Sequence, residues 1–336
     1  MIEIDGSKGG GQMLRTSLSL SAITGKPFRM ENIRGSRPNP GMKRQHLEAV
    51  KAAARLCDAE VEGLQEGSRE IVFRPSELSA ENFTVNIRTA GSVTLLLDTL
   101  LPITTHLDED LRVDVKGGTD VKWSPTAGYY RHVKLPLLRD FGLDASIEAE
   151  RTGFYPAGGG EIRLETSPYS MEPVEIRERG GLEGFEVYSK ASRDLQESQV
   201  AERQASEVAR KLKNSHISVP VEKDTRYVET DSTGSSLVLE AVYENSVAGF
   251  DSLGEQGKRS EQVAGEVVEG FRRFHSGGAA VDRYMADQLV VFLAIAGGEV
   301  VIPEVTSHVQ TSLSVVEKFG MDVEIVEEGE RTVLSG

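Results

Sequence analysis

Leu56-Cys57-Asp58-Ala59-Glu60-Val61 has two counterparts in the same chain, Phe141-Gly142-Leu143-Asp144-Ala145-Ser146 and Phe319-Gly320-Met321-Asp322-Val323-Glu324. In each, a stretch with apolar residues at helical spacing runs out, a turn follows, and a strand-like pattern begins. A helix-to-strand junction used three times points to a repeated structural unit.

Working outward from the first junction, residues 1–5 read as a strand, 10–23 as a helix and 27–33 as a second strand. After the loop at 34–41, residues 43–57 read as a helix, and strands at 59–62 and 70–73 close the unit. The order is βαβαββ. A second copy reads as strand 83–87, helix 90–105, strand 111–116, a helix ending near 141–142, and strands 145–150 and 161–165. A third has a helix at 281–295, a short strand at 298–302, a helix at 313–319, and strands at 322–326 and 331–334. Between copies two and three lie roughly ninety residues with their own pattern. They read as strand 185–189, helix 198–212, strands 235–243 and 248–253, and helix 262–271. The expected fold class is α/β, with three βαβαββ-type repeats forming a large domain from 1–178 and 273–336. A small α/β domain at 179–272 is inserted into it, with hinges at Gly180-Gly181 and Gly277-Gly278.

The 336 residues suffice for about two domains and a sizeable core. Hydrophobic and charged contents of 38% and 27% are those of an ordinary globular chain. A single cysteine, Cys57, excludes an internal disulfide and a cysteine-rich zinc site. With neither a cationic-apolar leader nor an apolar run of membrane length, the chain reads as cytoplasmic. A net charge of −15 argues against broad non-specific nucleic-acid binding. The charge is unevenly spread, however. Residues 1–55 hold ten Lys/Arg against four acids, a local +6 that leaves −21 on the remainder. That distribution suits a protein gripping a few phosphates at one site.

Strand-to-helix loops are where α/β folds usually bind ligands. The loops ahead of the first helices, 5–12, 89–92 and 276–279, collect glycines at helix starts, as a phosphate-cradling backbone requires. In the third copy the second such loop is Val305-Thr306-Ser307-His308-Val309-Gln310-Thr311-Ser312. Ser307 as N-cap and Gln310 three residues on form a capping box, which puts His308 in the first helical turn. Unpaired N–H groups and the positive end of the helix dipole there disfavour imidazolium and attract anions. His308 is therefore expected to be neutral and nucleophilic beside a phosphate site.

The segments Gly9-Gly10-Gly11-Gln12-Met13-Leu14-Arg15, Ile33 to Gly41 and Arg44-Gln45-His46-Leu47 resemble those of the RNA 3′-terminal phosphate cyclase family. So do Gly117-Gly118-Thr119-Asp120, Gly153 to Gly160, Tyr284-Met285-Ala286-Asp287-Gln288-Leu289 and the His308 turn. They occur in the family's order over nearly the whole chain. The resemblance implies three repeats with a small insert, and ATP-dependent conversion of an RNA 3′-terminal phosphate to a 2′,3′-cyclic phosphodiester. It further implies that His308 Nε2 takes AMP from ATP and passes it to the RNA 3′-phosphate, and that the neighbouring 2′-OH then displaces AMP. Arg15, Arg37 and Arg44 are the expected phosphate grips, since a guanidinium makes bidentate bonds that lysine does not.

Gln45 and His46 either orient phosphates or hold their loop in shape. Tyr284, Met285, Ala286, Asp287 and Gln288 form the expected nucleotide segment. There the Asp287–Gln288 pair either contacts ribose or adenine or satisfies nearby backbone. Trp123 and Tyr155 are candidates for base stacking, with core packing the favoured reading. Two positions depart from the family pattern. Lys8 stands where a metal-holding glutamate is usual, and Asp98 where a nucleotide-contacting glutamine is usual. One expectation is that Asp5 or Asp98 supplies the displaced carboxylate to Mg²⁺ or Mn²⁺ while Lys8 meets the triphosphate. The other is lowered activity, or a different nucleotide or cation. The alternatives at this stage are a non-catalytic ribosome-assembly protein of the same fold, whose members lack the histidine, and an enolpyruvyl transferase of related repeat architecture.

Overall fold

The computed structural model describes residues 1–215 and 217–336. The first unit comprises β1 (Ile2–Asp5), α1 (Gly11–Thr24), β2 (Phe28–Glu31), α2 (Arg44–Leu56), β3 (Glu60–Glu62) and β4 (Ile71–Arg74). β1 and β2 are parallel, as a crossover through α1 requires, and β2–β4 and β4–β3 are antiparallel. The sheet order is β1-β2-β4-β3.

The second unit repeats this order. It contains β5 (Phe83–Asn86), α3 (Val93–Thr104), β6 (Leu111–Gly117), a composite second helix, β7 (Ala145–Arg151) and β8 (Gly160–Thr166), with sheet order β5-β6-β8-β7. The composite helix is made of α4 (Ala127–Tyr129), a π turn (Tyr130–Lys134) and α5 (Leu135–Arg139). At the three junctions the chain enters the left-handed region, at Asp58 (φ 41°), Gly142 (φ 93°) and Gly320 (φ 72°). A helix ends naturally at such a residue.

The third unit begins earlier than its sequence pattern suggests. A three-residue strand, β9 (Val174–Ile176), precedes the intervening segment. That segment consists of β10 (Leu182–Ser192), α6 (Val200–Lys213), β11 (Val221–Val228), β12 (Ser235–Tyr243), β13 (Ser246–Gly254) and α7 (Ser260–Ser276). The chain then returns through α8 (Arg283–Ala296), β14 (Gly298–Ile302), α9 (Ser307–Lys318), β15 (Glu324–Glu328) and β16 (Arg331–Ser335). β9 pairs parallel with β14, and the order β9-β14-β16-β15 matches the other two sheets. The additional chain therefore enters between the first strand and first helix of unit three. A three-residue strand standing about a hundred residues from its partner has no periodicity to reveal it.

The three sheets enclose helices that pack on one another, α1 against α2, α3 and α9, and α8 against α3 and α9. Small hydroxyls on α1 permit close approach; Ser19 Oγ donates to the Thr99 carbonyl on α3 at 2.8 Å. Residues between Phe185 and Ala279 close a second apolar core, with α6 and α7 on one face of the sheet β11-β10-β12-β13. Phe274 belongs to that core, and α7 runs on to Ser276, past position 272. Asp282 ties this region to the main body. It caps α8 through Tyr284 N (2.9 Å) and Met285 N (3.0 Å) while accepting from Gly249 N (3.0 Å) and the Tyr129 hydroxyl. Among the described residues, no helix is long and apolar enough to cross a membrane.

Candidate active site

Helices α1 and α9 meet with their N-termini at one cleft. The cleft has a large lobe of about 2070 Å³ and a smaller lobe of about 610 Å³, and Gln12, Arg15, Arg37, Trp123 and His308 line both. The N-cap of α1 is Gly10, which has no side chain to bond the first-turn N–H groups. A helix start of this kind favours an anion.

His308 is the second residue of α9. The N-cap is Thr306, one residue earlier than the expected Ser307, and its hydroxyl accepts from Val309 N at 3.0 Å. The Ser307–Gln310 capping box therefore does not form. Thr306 in turn donates to Asp287 Oδ1, so a carboxylate on α8 fixes the start of the histidine helix.

The ring itself is set by α1. Gln12 Nε2 donates to Ser312 Oγ at 2.8 Å, which turns Gln12 Oε1 toward His308 Nδ1. A carbonyl oxygen only accepts, so Nδ1 carries the proton and Nε2 keeps its lone pair. Loss of hydration at the cleft wall, then the charges of Arg15, Arg37 and Arg283, hold the His308 pKa below the usual imidazole value. The ring is neutral at physiological pH, with its nucleophilic nitrogen free.

His46 is built differently. It is 5% exposed, and Lys43 N donates to its Nδ1 at 3.2 Å, leaving the proton on Nε2. Burial first, and then Arg15 and Arg34, push its pKa down to about 3. Its Nε2 lies so close to Gly11 that a Cβ there would stand 2.2 Å away, which explains the glycine at the first position of α1. Gln45 Oε1 accepts from Ser92 N at 3.0 Å, tying unit one to the first-helix loop of unit two. Both residues line the large lobe, and both also brace the loop architecture.

The smaller lobe gathers Asp98, Tyr284, Asp287 and Gln288. Asp98 is held by Lys134, Nζ to Oδ1 at 2.6 Å; Lys134 is only 2% exposed and lies over the Tyr130 ring at 4.7 Å. Burial raises the Asp287 pKa to about 6 against the opposing Thr306 hydrogen bond. Gln288 Nε2 donates to the Tyr284 carbonyl at 3.2 Å, while its Oε1 is buried and has no donor among the described residues. A buried acceptor without a partner is costly unless a ligand supplies the N–H.

Several expected residues lie elsewhere. Met285 and Ala286 are fully buried in the main core, because the face of α8 they occupy packs inward. Arg44 opens α2 with its Nε 3.8 Å from Glu48, and neither it nor Lys8 lines either lobe. Asp5 accepts from Ser7 N (3.0 Å), Ser7 Oγ (2.7 Å) and Asn32 Nδ2 (3.0 Å). These bonds, that from Asn32 foremost, lower its pKa. The two carboxylates expected to reach a divalent cation are thus committed, Asp5 as a turn cap and Asp98 in an ion pair. Among the described residues, no three His, Cys, Asp or Glu side chains cluster to hold a metal. The residues present do not form a protein cage for Mg²⁺ or Mn²⁺.

Trp123 and Tyr155 are 95% and 73% exposed in the cleft, so core packing does not account for them. Gln12, Thr306, Lys134 and Arg283 acquire roles only in three dimensions. Gln12 stands in the glycine-rich motif, but its partners His308 and Ser312 lie some 300 positions away.

A neutral histidine at a helix start, faced by guanidinium groups inside a threefold βαβαββ frame, defines a phosphate-handling enzyme of repeat α/β architecture. The family profile described as RNA 3′-terminal phosphate cyclase matches residues 7–325, and the chain belongs to that family. It is 42% identical over 334 residues to an RNA 3′-terminal phosphate cyclase of Halobacterium salinarum, covering 96% of each chain. Cyclases bearing the same description from Saccharolobus islandicus and Saccharolobus solfataricus are also 42% identical, over 98% of this chain and 97% of theirs.

Proposed function

We propose that this chain is an ATP-dependent RNA 3′-terminal phosphate cyclase that works through a histidine–AMP intermediate. The observation that carries the reading is the Gln12–His308 contact, which leaves Nε2 unprotonated and open to the cleft. Nε2 attacks the α-phosphate of ATP and pyrophosphate leaves; AMP then passes to the RNA 3′-phosphate, giving RNA–ppA. A bare 3′-phosphate is a poor electrophile because its leaving group would be oxide. Adenylylation supplies AMP as the leaving group, and the adjacent 2′-OH closes the ring by proximity. Arg15 and Arg37, with the starts of α1 and α9, offset the charge that develops on phosphate oxygens. As His308 gains positive charge, Gln12 Oε1 stabilises its Nδ1–H.

The smaller lobe is proposed for the nucleotide, with Tyr284 flanking the base, Gln288 Oε1 accepting an N–H and Asp287 near the ribose. The residues 179–272 are proposed as an inserted domain, with its far edge following α7 to about 276. RNA processing in the cytoplasm is part of the same reading.

Incubation with ATP and RNA bearing a 3′-phosphate tests the function. The end should become resistant to phosphatase as AMP accumulates, and His308→Ala should make no cyclic end. An end that stays phosphatase-sensitive while no AMP forms contradicts the reading and favours the non-catalytic binding protein.

A further inference from the structure

The large lobe has several times the volume of the smaller one, and its wall is cationic. Eight Lys/Arg line it against three acids, in a chain whose net charge is −15. Each of the three acids is already held by a base. Asp120 is paired with Lys190 at 3.0 Å, Asp231 with Arg151 at 2.5 Å and Glu255 with Lys122 at 2.7 Å. Of the eight bases, Lys122, Arg203 and Lys258 are themselves paired, with Glu255, Glu261 and Glu266. Arg15, Arg34, Arg37, Lys43 and Arg259 stand outside any ion pair among the described residues, so the charge facing the cavity is still net positive, as a polyanion requires.

Trp123 projects into this wall. Its backbone is left-handed (φ 63°), a conformation bulky side chains rarely adopt. The chain on either side is pinned. Thr119 N donates to the Gly153 carbonyl at 2.9 Å, Ser124 Oγ to the Val121 carbonyl at 2.9 Å, and Thr126 N to Asp251 Oδ2 at 2.9 Å. Lys122 bridges the same loop to Glu255 beyond β13. The indole is presented by a fixed loop, with both faces in solvent and no core to fill. Tyr155 lies in the same lobe.

We infer that Trp123 is the stacking platform for the terminal base of the RNA. Tyr155 receives a base further along, and Arg259 holds a backbone phosphate on the opposite wall, beside Arg203 and Lys258, whose charges are shared with Glu261 and Glu266. This rests on the cyclase reading and adds to it the strand's path and its recognition mode. Stacking with phosphate contacts accepts any base, so the enzyme reads a single-stranded end and not a sequence. It also gives residues 182–279 a task, because that second wall comes from them.

The chain has one tryptophan, so its emission reports this residue alone. Titration with a short oligoribonucleotide carrying a 3′-phosphate should quench the emission, and ATP alone, which meets Trp123 only at the edge of the smaller lobe, should quench it far less. In Trp123→Ala the KM for RNA should rise about tenfold or more, the loss expected when one base-stacking surface is removed. In Trp123→Phe it should be largely restored. Because the indole is 95% exposed, the Tm of both variants should stay at the wild-type value, which separates stacking from a general loss of fold. Unchanged emission at saturating RNA, or quenching by ATP to equal depth, overturns the assignment. Quenching by RNA without cyclic product upholds the platform while the cyclase reading fails, so the two are scored separately.

Discussion

Replacing Gln12 by leucine removes the acceptor on His308 Nδ1 and the donor to Ser312 while keeping most of the side-chain volume. The bond to Ser312 is part of the resting structure and changes little during reaction. The bond to His308 matters more in the transition state, because the ring gains positive charge as Nε2 attacks phosphorus. A hydrogen bond to a charged partner contributes about 1.5–3 kcal/mol, which converts to a roughly 10- to 150-fold loss in the rate of adenylylation. Half-saturation by ATP should move less than the rate, since Gln12 only edges the nucleotide lobe whereas Asp287 and Gln288 stay in place. Single-turnover transfer of label from ATP labelled at the α-phosphate measures the rate. Gln12→Glu is the informative partner. It keeps the acceptor but adds a negative charge, which raises the His308 pKa and moves the acid limb of the rate profile to higher pH. Labelling of the leucine variant at the wild-type rate would refute the tautomer argument outright.

Three further outcomes follow from the same geometry. Because desolvation and the arginines depress the His308 pKa, the wild-type rate of adenylylation should fall only below the ordinary imidazole value of about 6.5. Arg37→Gln should shift that limb upward, and a limb at or above 6.5 in the wild type contradicts the electrostatics. Asp98→Asn strands the buried Lys134 ammonium and should cost about 3–5 kcal/mol, whereas Asp98→Leu with Lys134→Met should recover most of it. Thermal melts of the single and double variants decide between this and a merely local role. His46 titrates near 3 when folded but near 6.5 when unfolded, so the unfolded chain takes the proton first. The stability this gives is complete above pH 6.5 and shrinks as pH falls toward 3, by at most about 5 kcal/mol. His46→Asn should flatten the fall in Tm between pH 6.5 and 4, and parallel curves would count against it.

The repeat was legible because its junctions are local; a helix end and the strand after it lie within a few residues. The βαβαββ order and the positions of α1, α3, β6, α8 and β14 are patterns of period 3.6 or 2 over contiguous sequence. β9 was hidden because its partner β14 lies beyond the additional segment, and β11 because Val221–Val228 is a largely polar edge strand. His308, Arg15 and Arg37 could be named from motif and helix position. The committed states of Asp5 and Asp98 could not, because a carboxylate reads the same in sequence whether it is free, capping or paired. Gln12 shows the same limit from the other side. Its role consists of contacts to α9, and nothing within its own helix reports them.

The central claim is that His308 Nε2 forms a covalent bond to AMP. Purified protein incubated with ATP labelled at the α-phosphate, beside His308→Ala, tests it directly. The account predicts label on the wild type alone, labile to acid and stable to alkali, and discharged on addition of RNA bearing a 3′-phosphate. Label that survives in His308→Ala, or cyclisation that proceeds with no protein-bound AMP at any time point, would contradict it.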